Sequence, residues 1–465
     1  VSGYFRSRRQ LWQEPIYRNV WGLLKGFGDA ELAQLVAPRG LVIEAVRHPE
    51  VTGPPAEREQ RRGAAPGRIT TPELAEVRGE CERSGAKPVL VERGGARELL
   101  RTLAPKAAWR DAGPVGQAVS PASRQQRQFE QLVEFTQKLV RRSEAARREF
   151  WSKADTVSLE RWQQTVEPYR RRLWEEVIGR LPDPSEPLVA RTRVAYNEEK
   201  WRGYEVVLPV WPDVFAYGVL LVPKDLKPGE RRPVVVCQHG LEGRPQDTIE
   251  AKGEKAYARY AARLAERGFV VYAPQNPYIG RDRFRQIQRK ANPLGLSLFS
   301  FIVGQHQRTL EWLATLPFVD AQRIGFYGLS YGGKTAVRVP PLLQSYALSI
   351  CSADFNEWIR KNTLVDEPFS YMYTGEYEMP EFNLGNTFNY AELAALMIPR
   401  PFMVERGHRD GVGIDEWVAY EYAKVRRLYT FLGLADRTTI EFFNGPHQIH
   451  GVGTFEFLER WLRRR

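Results

Sequence analysis

Short apolar runs bounded by glycine, proline and polar turns dominate the chain after residue 190. "ARTRVAYN", "GYEVVLPV", "AYGVLLVP" and "PVVVCQ" (190 to 238) read as strands joined by short turns. From there apolar strands alternate with helical patterns: "GFVVYAP", "GQHQRTLEWLATL", "RIGFYG", "KTAVRVPPLLQ" and "ALSICSA". Leading hairpins followed by strand–helix alternation predict an α/β fold, with a mostly parallel central sheet and helices on both faces. Residues 122 to 181 are helical in period and highly charged, and "PDPSEP" (182 to 187) reads as a linker.

The pattern of one region recurs. "DAELAQLVAPRGLVIE" (29 to 44) and "YAELAALMIPRPFMVE" (390 to 405) share Ala-Glu-Leu-Ala, a Leu, Pro-Arg and the final Glu without a gap. Each predicts a helix, a Pro-Arg break and a buried strand. Each is followed by an amphipathic helix ("PELAEVRGECERSG", "EWVAYEYAKVRRLYTFLG"), a second apolar strand ("KPVLVE", "TTIEFF") and a closing helix ("ARELLRTLAP", "TFEFLERWLRR"). The expectation is a duplicated supersecondary unit. Three regions follow: residues 1–110, a partial and degenerate copy; 111–189, a charged helical connector; 190–465, the complete domain.

Composition narrows the function classes. The 465 residues are 43% hydrophobic and 27% charged, as in ordinary globular chains. No apolar run is long enough for a transmembrane helix, so no membrane partner is expected. The net charge of +12 is spread over helical patterns such as "QKLVRRSEAARREFW" (137 to 151). With no nucleic-acid-binding signature beside it, it reads as solvated helix faces, and no nucleic-acid partner is expected. Cys81, Cys237 and Cys351 are too widely spaced for a disulfide framework or a zinc site, so neither metal nor cofactor is expected. The chain opens "VSGYFRSRRQ", without a Met or a signal pattern. An upstream segment is therefore expected, and the compartment is not read.

The chemistry concentrates at "RIGFYGLSYGGKTA" (323 to 336). Gly328-Leu329-Ser330-Tyr331-Gly332 fits G-x-S-x-G between a strand and a helix. Such a turn lifts a serine hydroxyl above the sheet and needs tiny neighbours to close. The helix that follows aims backbone N–H groups at a developing oxyanion. A serine at neutral pH needs a base. His447, in "FFNGPHQIHG", stands nearer a strand end than His450, which reads as a helix-start or supporting residue. Asp410 follows the strand of "PFMVERGHRD" and is the expected orienting carboxylate, with Asp415 and Glu405 as competitors. Glu405 has a counterpart in Glu44, which suggests a structural role. "VVVCQHGLEG" ends a strand at His239-Gly240, so the Leu241 N–H is the second expected oxyanion donor beside that of Tyr331. His239 reads as a structural turn residue. Residues 354 to 390 carry Phe355, Trp358, Phe369, Tyr371, Tyr373, Tyr377, Phe382 and Phe388. They read either as a substrate lid or as rings packed onto the body. "RDRFRQIQRK" (281 to 290) reads as a solvated loop, with a border of the same cleft as the alternative.

"LPFVDAQRIGFYGLSYGG", "CQHGLEG", "MIPRPFMVERGHRDG" and "GPHQIHGVGTFEFLERWL" together resemble the dienelactone hydrolase and acetyl xylan esterase branch of the α/β-hydrolase superfamily. The resemblance covers about residues 190 to 465, and the order Ser330, Asp410, His447 is that of the superfamily. It implies a metal-free carboxylic-ester hydrolase acting through an acyl-enzyme on a small-molecule or carbohydrate ester. It leaves a secreted or periplasmic setting open. Dienelactone hydrolases proper use a cysteine where Ser330 stands, which favours the esterase reading. Two alternatives remain: a prolyl-oligopeptidase-like peptidase, for which no β-propeller repeat is visible, and a non-catalytic binding protein derived from a hydrolase. Residues 1 to 110 resemble the last third of the same fold. Pro49 falls opposite Asp410 there, and no histidine stands opposite His447.

Overall fold

The structure, a computed structural model, describes residues 1–52, 67–108, 120–280, 283–371 and 381–463. The chain divides into two compact units. One comprises Val1–Leu139 with Arg285–Leu296; the other comprises Val140–Phe284, Ser297–Tyr373 and Pro380–Arg465. The expected connector, 111–189, is therefore divided between them: its long helix Pro121–Phe150 crosses the division, and the helix Leu159–Arg172 belongs to the second unit.

The first unit holds strands β1 (Val42–Glu44), β2 (Val51–Thr52), β3 (Arg68–Ile69) and β4 (Val89–Val91). β1 and β4 pair in parallel, and Ser2 bridges in parallel to Glu44 on the other side. Phe5, Ala33, Ile43, Val77 and Cys81 form its small core.

The second unit is built on one nine-stranded sheet. Its strands are β5 (Arg191–Asn197), β6 (Trp201–Trp211), β7 (Val214–Pro223), β8 (Arg232–Gln238), β9 (Val270–Pro274), β10 (Val319–Leu329), β11 (Tyr346–Ser352), β12 (Phe402–Gly407) and β13 (Thr438–Phe443). Their order across the sheet is β13-β12-β11-β10-β8-β9-β7-β6-β5. β8 to β13 run parallel, and β5, β6 and β7 form an antiparallel meander on the β9 side. β9 and β12 are buried along their whole length, as strands covered on both faces must be.

Alternate residues of each strand face opposite layers. Cys237, Val271, Tyr327 and Leu329 pack with the helices Tyr260–Glu266 and Gly453–Leu462. Tyr272, Phe326 and Tyr346 point the other way, against Trp312 and His306 of the helix Leu298–Thr315. After β8 the chain turns to one side for β9 and then crosses back to the other for β10. The strand order reverses between them, and in open α/β sheets ligands bind outside the carboxyl ends of the strands at such a point.

"RDRFRQIQRK" departs from the solvated loop expected of it. Arg283–Ala291 is a helix, and Arg285 and Arg289 are buried rather than solvated. Arg289 Nη1 donates to the Glu14 carbonyl at 3.2 Å within the first unit. Arg281 and Asp282 lie outside the described residues.

Candidate active site

β10 ends at Leu329, and Ser330 takes φ +60° and ψ −120° before the short helix Tyr331–Ala336. A side chain other than glycine rarely adopts this region, and its strain persists only where the surroundings over-determine it. Three glycines make that possible. A Cβ at Gly328 would stand 2.2 Å from the Gly332 carbonyl oxygen. One at Gly332 would stand 2.4 Å from the Gln238 oxygen, and one at Gly333 would stand 2.5 Å from the Ser352 oxygen. The Ser330 N–H donates to the Ser352 carbonyl at 2.9 Å, and Lys334 N–H closes the first helical turn onto the Ser330 carbonyl at 2.7 Å.

The turn after β8 lies against this serine: a Cβ on Gly240 would be 3.0 Å from the Ser330 Cβ. Gly240 N–H donates to Tyr257 Oη (2.9 Å), Glu242 N–H to the Tyr278 carbonyl (3.0 Å) and Gly243 N–H to the Gly240 carbonyl (3.1 Å). The Leu241 N–H lies within this braced turn. His239 Nε2 accepts from the Asn276 N–H at 3.1 Å, so the neutral ring carries its proton on Nδ1, facing the Gly240 carbonyl at 2.7 Å. Burial pulls the imidazole down to about 4, which keeps it neutral.

Asp410 and His447 follow β12 and β13, at the same edge of the sheet. His447 Nδ1 and Asp410 Oδ1 are 2.9 Å apart. The carboxylate is wholly buried, and the imidazole is 30% exposed. The Val412 N–H donates to the same Oδ1 at 2.9 Å, and Arg406 stands 3.1 Å from Oδ2. The two loops touch closely. A Cβ on Gly407 would lie 2.5 Å from both the Gly445 and Pro446 carbonyl oxygens, and the Arg409 N–H donates to the Gly445 carbonyl at 2.9 Å. Only a glycine at the end of β12 permits the His447 loop to approach in this way.

The competing residues are engaged elsewhere. His450 Nδ1 is 2.7 Å from Glu441, and its ring stacks on Phe443 at 4.4 Å. Asp415 pairs with Arg406 Nε at 3.0 Å and His408 at 2.6 Å. Glu405 is buried among hydroxyls and backbone N–H groups. Phe355, Trp358, Tyr371 and Phe388 are buried too: Phe355 packs on Phe402 and Tyr390, and Trp358 on Tyr371 and Tyr390. These rings hold the segment to the body and present no open face to a substrate. Phe382 is exposed, and Tyr373 and Tyr377 lie outside the described residues.

Tyr257, Asn276, Ser352 and Arg406 also hold the site, and no sequence pattern singled them out. Arg406 sits inside "VERGHRD", where its charge beside two acids was the available signal. Among the described residues no three His, Cys, Asp or Glu side chains group as a metal site would require. No helix among them is long and apolar enough to cross a membrane.

A mostly parallel sheet covered on both faces, a strained serine turn after β10 and an acid–histidine pair after the last two strands define the α/β-hydrolase fold. Solved structures agree. A glucuronoyl esterase from Solibacter usitatus superposes with a TM-score of 0.52 at 15% identity, covering 66% of this chain and 96% of that one. A CE15 glucuronoyl esterase from Teredinibacter turnerae gives 0.50 at 17% identity, covering 65% and 85%. In sequence, 234 residues are 25% identical to dipeptidyl peptidase 8 of Homo sapiens and of Mus musculus, 48% of this chain. That match spans 23% of the length of those relatives. No protein-family model matches the chain.

Proposed function

We propose that this protein is a serine carboxylic-ester hydrolase working through an acyl-enzyme. The observation that carries the reading is the Asp410–His447 hydrogen bond, at the sheet edge where the Ser330 turn also stands. Ser330 attacks the ester carbonyl while His447 takes its proton. Asp410 holds the imidazole with its Nδ1 proton inward and stabilises the imidazolium. The Leu241 and Tyr331 N–H groups take the oxyanion. Water then releases the acyl group by the same route, with no metal or cofactor.

The substrate class we assign is an esterified carbohydrate or a small carboxyl ester, supported by fold likeness to two glucuronoyl esterases. Residues 1–110 are, in this reading, a non-catalytic copy of the last third of the fold. The test is a screen of short acyl esters, acetylated sugars and uronate methyl esters, with Ser330→Ala beside the natural protein. Loss of a triad serine costs on the order of 10⁶ in kcat in a well-studied hydrolase. A variant that keeps a tenth of the rate sinks the assignment.

The partial likeness to dipeptidyl peptidase 8 supports a second reading, a peptidase on the same triad. Release of p-nitroaniline from Xaa-Pro anilides, with no turnover of the esters, would favour it.

A further inference from the structure

Glu405 is fully buried within β12, two residues before its end, and its partners come from three directions. Tyr327, on β10 three residues before Ser330, places its hydroxyl 3.0 and 2.9 Å from the two carboxyl oxygens. Ser352, at the end of β11, donates to Oε2 at 2.6 Å, and its carbonyl is the one that receives the Ser330 N–H. The Gly451 and His450 N–H groups, just past His447, point to Oε1 at 3.0 and 3.3 Å, with the Thr454 hydroxyl at 3.2 Å. Among the described residues no lysine or arginine pairs with this carboxyl, and burial pushes it up from the usual carboxylate range.

We infer that Glu405 is a positioning residue, which holds the Ser330 turn and the His447 loop in register through hydrogen bonds. The inference rests on the Ser330–His447–Asp410 reading. The carboxyl joins the strand that carries the nucleophile, the residue that fixes the nucleophile's backbone, and the loop that carries the base. Glu44, in the first unit, makes only part of this pattern: it accepts from the Gly95 N–H (3.0 Å) and the Ser2 hydroxyl (2.9 Å). The tyrosine and the threonine belong to Glu405.

The geometry also says which substitution preserves the latch. Oε1 faces two backbone N–H groups, so a glutamine must place its carbonyl there. Its NH₂ then falls at Oε2, beside the Tyr327 and Ser352 hydroxyls, which rotate to accept. Glu405→Gln therefore keeps a hydrogen bond to every partner, the Ser352 hydroxyl changing from donor to acceptor. Glu405→Leu orphans the two backbone N–H groups and the Ser352 hydroxyl, and leaves the Tyr327 and Thr454 hydroxyls only each other at 3.0 Å.

The experiment measures kcat and KM on p-nitrophenyl acetate, and the rate at which a fluorophosphonate labels Ser330. Displacement of reacting groups by about 1 Å costs on the order of 10²-fold. Glu405→Leu is expected to lose about that much in kcat and labelling rate, with KM little changed. Glu405→Gln is expected to stay within about threefold of the natural protein, less than the tenfold that one missing hydrogen bond of ordinary strength would cost. Glu44→Leu is expected to label at the natural rate. A folded Glu405→Leu that labels normally overturns the inference and leaves the triad reading standing. So does a Glu405→Gln that falls as far as the leucine variant, or a Glu44→Leu equally impaired. Absence of labelling at Ser330 in the natural protein overturns the triad reading and this inference with it. If Glu405→Leu does not fold, Ser352→Ala is read in the same assay: a slower labelling rate supports the latch, and an unchanged rate overturns it.

Discussion

Residues 1–108 and residues 352–463 invite comparison position by position. β1 pairs with β4 in the register of β12 with β13: Val42, Ile43 and Glu44 meet Val89, Leu90 and Val91, as Met403, Val404 and Glu405 meet Thr439, Ile440 and Glu441. The buried polar groups correspond as well. Gly28 N–H donates to Glu31 at 2.7 Å, and Asn389 N–H to Glu392 at 2.8 Å. Ala30 N–H donates to Glu80 and Ala391 N–H to Glu421, both at 3.0 Å. Glu80 pairs with Arg83 three residues on, and Glu421 with Lys424 three residues on. Glu44 and Glu405 each hold a serine hydroxyl and the backbone N–H of a glycine after the last strand. Pro49 and Asp410 mark where the two regions part. Buried backbone donors must be satisfied in any copy that folds, whereas an acid and a histidine are needed only where a reaction is run. The difference separates the residues that make the architecture from those to which the proposed chemistry is assigned.

The largest expected effect sharpens that separation. His447→Ala should cost four orders of magnitude or more in kcat, whereas His450→Ala, which removes a Glu441 contact and a ring stack, should cost about tenfold or less. Steady-state rates on one activated ester decide it. A more damaging His450→Ala would move the base to the other histidine.

A middle-sized effect tests the shared architecture. Glu421→Ala and Glu80→Ala each orphan a buried backbone N–H, a loss of about 1–3 kcal/mol. Glu421→Ala should cost more, because its partner Lys424 is only 19% exposed and keeps only Glu144, at 3.6 Å, whereas Arg83 is 46% exposed and keeps its close pair with Glu31. Denaturant unfolding monitored in each unit measures both. Equal losses, or the reverse order, would break the correspondence.

The smallest effect is a slope with pH. The second unit buries His239 and His306, pulled by desolvation from 6.5 to about 4 and about 3. The unfolded chain binds their protons first, so stability should fall as pH drops through 6.5 toward 4. His306→Gln copies the neutral ring's bonds to Asn276 and Tyr346 and should flatten the profile. A melting temperature independent of pH across that window would count against it.

Much of this was legible in the sequence, and for a local reason. The glycines around Ser330 are demanded by a turn whose contacts lie within a few residues or on the two strands that flank β10. The likeness of the two regions was legible because the same helix, break and strand pattern stands in both. The parallel sheet followed from strand–helix alternation, since parallel neighbours need a crossover. Asp410 and His447 could be proposed because each follows a strand end.

What the sequence by itself determined, then, is periodicity and local turn chemistry: the α/β architecture, the serine turn and the matching pattern of the two regions. Only the tertiary structure decided which histidine faces which carboxylate, since His447 and His450 differ by three residues and point to different partners. It alone turned Phe355, Trp358, Tyr371 and Phe388 inward and made Arg283–Ala291 a helix with two buried arginines. Tertiary structure also brought Tyr327, Ser352 and Gly451 to Glu405 across 78, 53 and 46 residues. Periodicity records which face of an element is apolar. A buried polar group is placed by donors that arrive from other elements, and no local pattern encodes their meeting.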